Sequence, residues 1–243
     1  MENSCFNHKI IELIETIEKE EADHIKAAAE IVYATMKNDG LLHVFCTGHS
    51  HMMAEELFYR AGGLLQVNPI LIPILMQHEG AVRSTKFERL PGIAKILFDS
   101  ENIKKGEPFL ISSNSGINVV PIEMAQCVKE NGGKVIVVTS KKNNEHLTSR
   151  CASGLKLSDV ADVVIDNHTP DGDGAIESNY GKIGATSTIA CSYIAQKLVI
   201  EIVKNYEKDN ITPSIYLSAN CDGGDEHNKE ILTKYSGRIR SLY

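Results

Sequence analysis

Apolar positions near the start of the chain recur at helical spacing. Ile10, Ile14 and Ile17 are separated by stretches that contain glutamates, and the same spacing continues for about another four turns. A period of three to four residues is typical of an amphipathic helix. The pattern predicts one long helix, or two consecutive helices, over residues 4–37, ending at the turn before Gly40. The apolar stripe requires a partner surface, either the sheet of the same subunit or a second subunit.

From residue 41 onward, short apolar runs typical of buried strands alternate with helical patterns. Strands are predicted over residues 41–47, 67–75, 108–112, 134–139 and 162–166, and helices over 50–61, 93–100, 119–131, 186–208 and 225–242. Pro69 and Pro73 favour an edge position or an early end for the second strand. Residues 77–90 are expected to be a polar connector, and the stretch after the fifth strand a glycine-rich loop. Alternating strands and helices predict a parallel, doubly wound α/β sheet with right-handed crossovers.

The length of 243 residues fits one α/β domain with added helices. Residues 1–37 are expected to be an N-terminal helical extension, 38–210 the αβα core, and 211–243 a C-terminal turn and helix. The net charge is −7 and no basic patch is clustered, so nucleic acid is not an expected partner. Six scattered cysteines without a C-x-x-C pair indicate free thiols in a reducing cytosol. Because no run of 18 apolar residues and no signal peptide is present, no membrane span is expected and the protein is predicted to be cytoplasmic.

Two hydroxyl-rich segments each follow a predicted strand and precede a predicted helix. One runs from Thr47 to His51 and the other from Ser113 to Asn118. In an open α/β sheet, such turns lie at the carboxyl ends of strands, where ligands bind. Hydroxyl side chains, backbone N–H groups and a helix N-terminus together favour an anion. The two turns therefore indicate a phosphorylated ligand; the alternative is that they are ordinary helix caps.

Nucleotide and metal sites are disfavoured because their characteristic motifs do not occur. Neither G-x-G-x-x-G after the first strand nor G-x-x-x-x-G-K-[ST] occurs, so a smaller phosphate group is expected rather than a nucleotide. His168, Asp171 and Asp173 invite a metal site, but neither an EF-hand loop nor H-E-x-x-H is present. His49 and His51, two residues apart on a turn, are not expected to chelate together. No metal and no cofactor are predicted.

These segments resemble the sugar isomerase (SIS) domain family of phosphosugar-binding proteins. Thr47-Gly48-His49-Ser50 matches the first family turn, and residues 113–118 match its Ser-x-Ser-Gly-x-Thr signature with Asn118 in place of threonine. Residues 183–188 resemble a hydroxyl-rich helix start in the family. The resemblance covers roughly residues 35–210 and is strongest to the uncharacterised bacterial SIS-domain proteins. It implies a Rossmann-like three-layer αβα sandwich with a mostly parallel five-stranded sheet and extra N- and C-terminal helices.

The resemblance also implies which residues bind the ligand. The expected phosphate ligands are Thr47, Ser50, Ser113, Asn114, Ser115 and Asn118. The amide of Asn118 can donate to a phosphate oxygen as a threonine hydroxyl would. Thr186 or Ser187 is expected to close the pocket or to contact sugar hydroxyls.

An aldose–ketose isomerase needs a base that moves a proton between C1 and C2. In related isomerases and etherases, a glutamate on the helix after the first turn often does acid–base work; some of them place it ten positions beyond the residue that corresponds to Ser50, where this chain has Arg60. The candidate bases in this chain are Glu55, His78 and Glu79. The alternative for Glu55 is that it lies on a solvated helix face, and the alternative for His78 and Glu79 is that they belong to a polar loop without a role. Glu88 belongs to the same connector, without an assigned role.

The function predicted first is a sugar-phosphate isomerase that acts by acid–base proton transfer on a hexose or N-acetylhexosamine phosphate. One alternative is a lyase or etherase that uses the same phosphate anchor. Another is a non-catalytic phosphosugar sensor or regulator, or an oligomer whose pocket has lost its activity. A homodimer or homotetramer is expected, because SIS domains commonly complete each other's pockets.

Overall fold

The computed structural model describes residues 4–242, so residues 1–3 and 243 of the predicted extensions lie outside the described residues. The strands are β1 (Leu42–Cys46), β2 (Val67–Ile70), β3 (Phe109–Ser112), β4 (Val135–Thr139), β5 (Val163–Asp166), β6 (Gly174–Ser178) and β7 (Gly181–Ala185). The α-helices are α1 (Ser4–Glu20), α2 (Ala22–Met36), α3 (Met52–Leu57), α4 (Ala81–Phe87), α5 (Ile93–Ser100), α6 (Val119–Glu130), α7 (Lys141–Glu145), α8 (Leu157–Val160), α9 (Ser187–Lys208) and α10 (Gly224–Tyr235). Short 3₁₀ turns cover Gly48–His51, Pro73–Leu75, Gln77–Glu79 and Arg240–Leu242.

Five strands form one parallel sheet in the order β2-β1-β3-β4-β5. This confirms the predicted α/β fold. β2 lies at an edge and ends at Ile70, which agrees with the two prolines in that segment. The chain winds outward from β1 to β2 and then returns to β3 on the other side of β1. The winding direction therefore reverses between β1 and β3, and ligands bind outside the carboxyl ends of strands at such a switch point.

Successive residues of each strand point to opposite faces, and each face is covered by helices. On one face, Val44 of β1 and Leu110 of β3 pack in a cluster with buried side chains of α1, α2, α3 and α9. On the other face, Phe45 and Ile111 pack with α5, α6 and α8. These are the three layers of an αβα sandwich. The apolar stripe of α2 is thus covered by the sheet and α9 of its own chain, and α1 packs against α9 beside it.

The C-terminal segment covers the amino ends of the central strands. Leu41 and Leu65 form a small cluster with Tyr216, Tyr235 and Ile239. Arg238 donates from Nη2 to both carboxylate oxygens of Glu107, at 2.8 Å each. Glu107 precedes β3, so this ion pair lies at the end of the sheet opposite the hydroxyl-rich turns.

The predicted helix over residues 50–61 is wrong at its C-terminal end. The helix stops at Leu57, and Tyr59 adopts a φ of 43°. The chain then pairs with a distant segment: Gly62 N donates to Tyr216 O at 2.8 Å, and Tyr216 N donates to Gly63 O at 3.0 Å. These long-range backbone bonds replace the next helical turn. Phe58 and Ala61 therefore do not belong to the helix.

Three further elements differ from the predictions. The connector over residues 77–90 contains α4, and the predicted helix over 225–242 ends at Tyr235. The glycine-rich loop is an antiparallel hairpin of β6 and β7. Gly174 fits this hairpin because a Cβ there would lie 2.6 Å from Lys182 Cβ. Within residues 4–242, no helix is long and apolar enough to cross a membrane.

Candidate functional site

Both hydroxyl-rich turns open onto one cleft of about 270 Å³. They meet because β1 and β3 are neighbours, with Cys46 opposite Ser112, and each turn follows its strand directly. Six of the eight predicted binding residues line this cleft: Thr47, Ser50, Ser113, Asn114, Ser115 and Asn118. The cleft lies at the switch point between β1 and β3, where the topology favours a ligand.

The first turn is bent by Gly48, whose φ of 56° suits a residue without a side chain. Ser50 N donates to Thr47 O at 3.2 Å, which closes the turn. The Ser50 side chain lines the cleft, and its hydroxyl makes no hydrogen bond to any other described residue. It is therefore available to a ligand.

The second turn is anchored to the sheet and leaves several donors unused. Ser113 N donates to Val138 O at 3.0 Å, and Ser113 Oγ accepts from Gly116 N at 3.2 Å. Within the described part of the chain, the backbone N–H groups of Asn114 and Ser115 and the Ser115 hydroxyl make no hydrogen bond. The twelve-residue helix α6 begins directly after this turn, so the positive end of its dipole lies beside these donors. The arrangement suits an anion.

A glutamate that follows α4 joins the two turns. Glu88 Oε2 accepts from Thr47 Oγ1 at 2.8 Å, and Glu88 Oε1 accepts from Asn118 Nδ2 at 2.8 Å. Burial raises the pKa of the Glu88 carboxyl above its ordinary value. The hydrogen bond from Thr47 and the charges of two arginines oppose this shift without cancelling it. A carboxyl with a raised pKa is suited to exchange protons with a ligand in the cleft.

Asn118 is held from both sides of its amide. Its Nδ2 donates to Glu88, and its Oδ1 accepts from Arg150 Nη1 at 2.6 Å. Arg150 is also tied to the turn by its backbone, since its N–H donates to Ile117 O at 2.9 Å. Asn118 therefore contributes one Nδ2 hydrogen to the cleft at most, and Arg150 provides a positive charge beside it.

The hydroxyl-rich start of α9 is occupied by a helix cap. Asp173 Oδ1 accepts from the backbone N–H groups of Thr186 at 2.9 Å and Ser187 at 2.7 Å. Thr186 is 1% exposed and its hydroxyl donates to Asp173 O, so it does not line the cleft. Ser187 Oγ donates to Asp173 Oδ2 at 2.7 Å. Ser187 lines a smaller adjoining pocket together with Ser50 and Asn114, whereas Asp173 lines the cleft itself.

The three predicted catalytic residues lie outside the cleft lining. Glu55, His78 and Glu79 are all exposed. Glu55 Oε1 lies 3.6 Å from His51 Nε2, and Glu79 Oε2 lies 3.8 Å from an Arg83 nitrogen. The structure thus brings the predicted phosphate ligands together without these three side chains, whose catalytic roles stay predictions.

The cleft is also lined by polar residues to which the sequence analysis assigned no ligand or catalytic role: His49, Gln77, Ser84, Thr85, Glu88 and Asp173. The sequence analysis did not identify Gln77 and Glu88 because it predicted no regular structure for residues 77–90. The signal that could have identified them is that these hydroxyl and acidic residues follow an edge strand of the sheet. His168 and Asp173, two of the residues that invited a metal site, have different partners. His168 Nε2 contacts Glu21 Oε1 at 3.0 Å, whereas Asp173 caps α9. Among residues 4–242, no group of three His, Cys, Asp or Glu side chains is placed to hold a metal ion.

Comparison with known proteins identifies the family. A sequence model of the SIS domain matches residues 5–140. A UPF0309 protein of Listeria innocua is 42% identical over 96% of this chain and 95% of its own length. A UPF0309 protein of Caldanaerobacter subterraneus is also 42% identical, over 96% of this chain and 97% of its own length.

Solved structures share the fold at low sequence identity. A phosphoheptose isomerase from Francisella tularensis superposes with a TM-score of 0.56 at 16% identity, covering 83% of this chain and 96% of its own. A putative phosphosugar isomerase from Silicibacter pomeroyi gives a TM-score of 0.54 at 17% identity, covering 82% of this chain and 50% of its own. The sugar isomerase domain of an RpiR transcription factor from Sphaerobacter thermophilus gives a TM-score of 0.50 at 14% identity, covering 96% of this chain and 97% of its own. The sequence match over more than half of the chain, together with this shared fold, shows that the protein belongs to the SIS domain family.

Proposed function

We propose that the protein binds a phosphorylated sugar in the cleft between the two turns and isomerises it. One observation carries the proposal: residues that line this cleft carry four hydrogen-bond donors without a partner in the described part of the chain. They are the hydroxyls of Ser50 and Ser115 and the backbone N–H groups of Asn114 and Ser115. Backbone and hydroxyl donors beside a helix N-terminus suit a phosphate group. The structural neighbours named as phosphosugar isomerases support the same ligand class.

We assign the phosphate to the second turn and the sugar to the rest of the cleft. The predicted ligands Ser113 and Asn114 lie within this turn, beside Ser115 and the start of α6. Arg150 adds a positive charge on the same side. The cleft volume of about 270 Å³ is at the small end of ligand pockets, which suits a hexose or N-acetylhexosamine phosphate better than a dinucleotide.

We assign the base to Glu88 in preference to the three exposed candidates. It lines the cleft, and its carboxylate is oriented by Thr47 and Asn118. Burial raises the pKa of Glu88, which brings the carboxyl closer to the pH at which proton transfer in both directions is efficient. Glu79 is exposed and outside the cleft lining.

A panel of sugar phosphates in a thermal-shift assay identifies the ligand, because a ligand that binds the folded state raises its melting temperature. Hexose or N-acetylhexosamine phosphates are expected to stabilise the protein, and the corresponding free sugars are not. NMR of the ligand then follows turnover. A ketose product supports isomerisation, an eliminated product supports a lyase or etherase, and an unchanged ligand supports a sensor.

Two glutamates of the same connector provide matched variants for the base. Glu88→Gln is expected to retain binding and to lose turnover, whereas Glu79→Gln is expected to retain both. The opposite result, with turnover lost only in Glu79→Gln, would return the base to the residue that the sequence favoured. Full activity in both variants would refute both assignments.

The homodimer or homotetramer, the cytoplasmic location and the single-domain organisation stay predictions. Sedimentation equilibrium of the purified protein checks the oligomeric state directly. Limited proteolysis checks the domain organisation, because independent domains would be released as stable fragments.

A further inference from the structure

We propose that His49 is a second proton-transfer residue of this cleft and that Gln77 fixes which of its ring nitrogens acts. The proposal rests on the proposed function. His49 lies in the Gly48–His51 turn and lines both the cleft and the smaller adjoining pocket. Gln77 begins the second 3₁₀ turn after β2 and also lines the cleft. The two side chains are in contact through His49 Nδ1 and Gln77 Oε1.

The chemistry of this contact determines the tautomer. The carboxamide oxygen of Gln77 can accept a hydrogen bond but cannot donate one, so His49 Nδ1 must carry the hydrogen. In the neutral ring, Nε2 then has the free lone pair. Within residues 4–242, His49 Nε2 makes no hydrogen bond, so this nitrogen can exchange a proton with a ligand.

Neighbouring side chains are less suited to this role. His51, two residues later, is buried, with Nδ1 in contact with Gly48 O and Nε2 lying 3.6 Å from Glu55. His78 lies outside the cleft lining, with its ring centroid 6.1 Å from that of His51. Of these three histidines, His49 is the one that lines the cleft.

His49 and Glu88 together supply both groups that an aldose–ketose isomerisation requires. Glu88 accepts the proton from C2 as the C2–H electron pair forms the C1–C2 double bond. The C1 carbonyl π electrons move to the C1 oxygen, which gives an enediolate, and Nε2 of neutral His49 takes the proton of the C2 hydroxyl and delivers it to the C1 oxygen. The electron pair left on the C2 oxygen then forms the C2 carbonyl while Glu88 delivers its proton to C1, so the ketose forms and both residues are regenerated.

The tautomer is measured by long-range ¹H–¹⁵N NMR of the neutral histidine rings, with the His49 signals assigned from their loss in His49→Asn. Wild-type protein is expected to show the hydrogen on Nδ1. Gln77→Met removes the acceptor and is expected to shift hydrogen toward Nε2, whereas Gln77→Glu retains an acceptor oxygen and the original tautomer. Gln126→Met, on α6 outside the cleft, is the matched control. Hydrogen on Nε2 in the wild type, or no change in Gln77→Met, would overturn the proposal.

Kinetics supply the second readout. His49→Asn is expected to lower kcat by about 100-fold or more. Gln77→Met is expected to lower kcat by a smaller factor with little change in KM, and Gln77→Glu to restore part of that loss. If His49→Asn keeps wild-type kcat, His49 is not a proton-transfer residue. If the wild type turns over no sugar phosphate, the proposed function fails, whereas the NMR result still decides the role of Gln77.

Discussion

Glu107 provides a quantitative test of how the C-terminal segment is held to the sheet. Its carboxylate is 4% exposed and lies just before β3. It accepts from Leu41 N at 2.9 Å, Lys104 N at 2.8 Å and His43 Nε2 at 3.0 Å, in addition to the two bonds from Arg238. The substitution Glu107→Gln removes the charge while it keeps the shape.

The magnitude follows from the pKa of this group. Burial by itself would raise the pKa of Glu107, but the hydrogen bonds from His43, Arg238 and the two backbone N–H groups lower it to about 2. The ordinary value is 4.5, and each unit corresponds to about 1.4 kcal/mol, so the ionised carboxylate stabilises the fold by about 3 kcal/mol. Because the folded-state pKa is depressed, this stability is present above pH 4.5 and is lost as the pH falls toward 2.

Urea unfolding at pH 7 and at pH 3 measures the effect. At pH 7, Glu107→Gln is expected to lower the free energy of unfolding by about 3 kcal/mol, and it also leaves the partly buried Arg238 guanidinium without its anionic partner. Its stability should then fall less than that of the wild type between pH 7 and pH 3. Glu12→Gln, which removes an exposed pair with Lys9, is the control and is expected to cost less than about 1 kcal/mol.

Two outcomes would refute this reasoning. One is that Glu107→Gln has the same free energy of unfolding as the wild type at pH 7. The other is that the free energy of unfolding of the variant falls as much between pH 7 and pH 3 as that of the wild type. Because Glu107 lies at the opposite end of the sheet from the cleft, folded Glu107→Gln is also expected to bind ligand as the wild type does.

Two further predictions concern the start of α9 and the cysteines. Asp173→Ala removes the cap of α9 and is expected to lower the free energy of unfolding by about 1 kcal/mol, measured by urea unfolding; unchanged stability would show that the cap is dispensable. Burial raises the pKa of the Cys46 thiol to about 12, so a thiol reagent followed by mass spectrometry is expected to modify exposed Cys221 first and Cys46 only on unfolding. Equal labelling rates in the native protein would contradict the burial of Cys46.

The sheet was predictable because its strands are continuous apolar runs between turn residues. β4, Val135–Thr139, is the clearest example, and the stripe of Ile10, Ile14 and Ile17 identified the first helix in the same way. The ends of elements were harder to predict where tertiary contacts determine the backbone conformation. α3 ends at Leu57 because the following residues pair with a segment about 150 positions later.

The site was predictable in part for the same reason. The two turns follow neighbouring strands, so the topology alone brings their hydroxyl groups together. Glu88 depends on the position of α4, a seven-residue helix in which Ser84 is the buried side chain, so no apolar pattern marked it. The hydrogen bond from Thr47 to Glu88 joins residues 41 positions apart, which spacing along the chain does not indicate.

Isothermal titration of the wild type and of the double variant Ser113→Ala/Ser115→Ala with a hexose phosphate tests the proposed ligand most directly. Hydrogen bonds to a charged group contribute about 1.5 to 3 kcal/mol each, so the loss of two is expected to weaken binding at least about 100-fold. The control Ser100→Ala/Ser178→Ala, outside the cleft, should bind as the wild type does, and the free hexose should not bind. Equal affinity of the double variant and the wild type, or equal affinity for the free sugar, would contradict a phosphate site at the second turn.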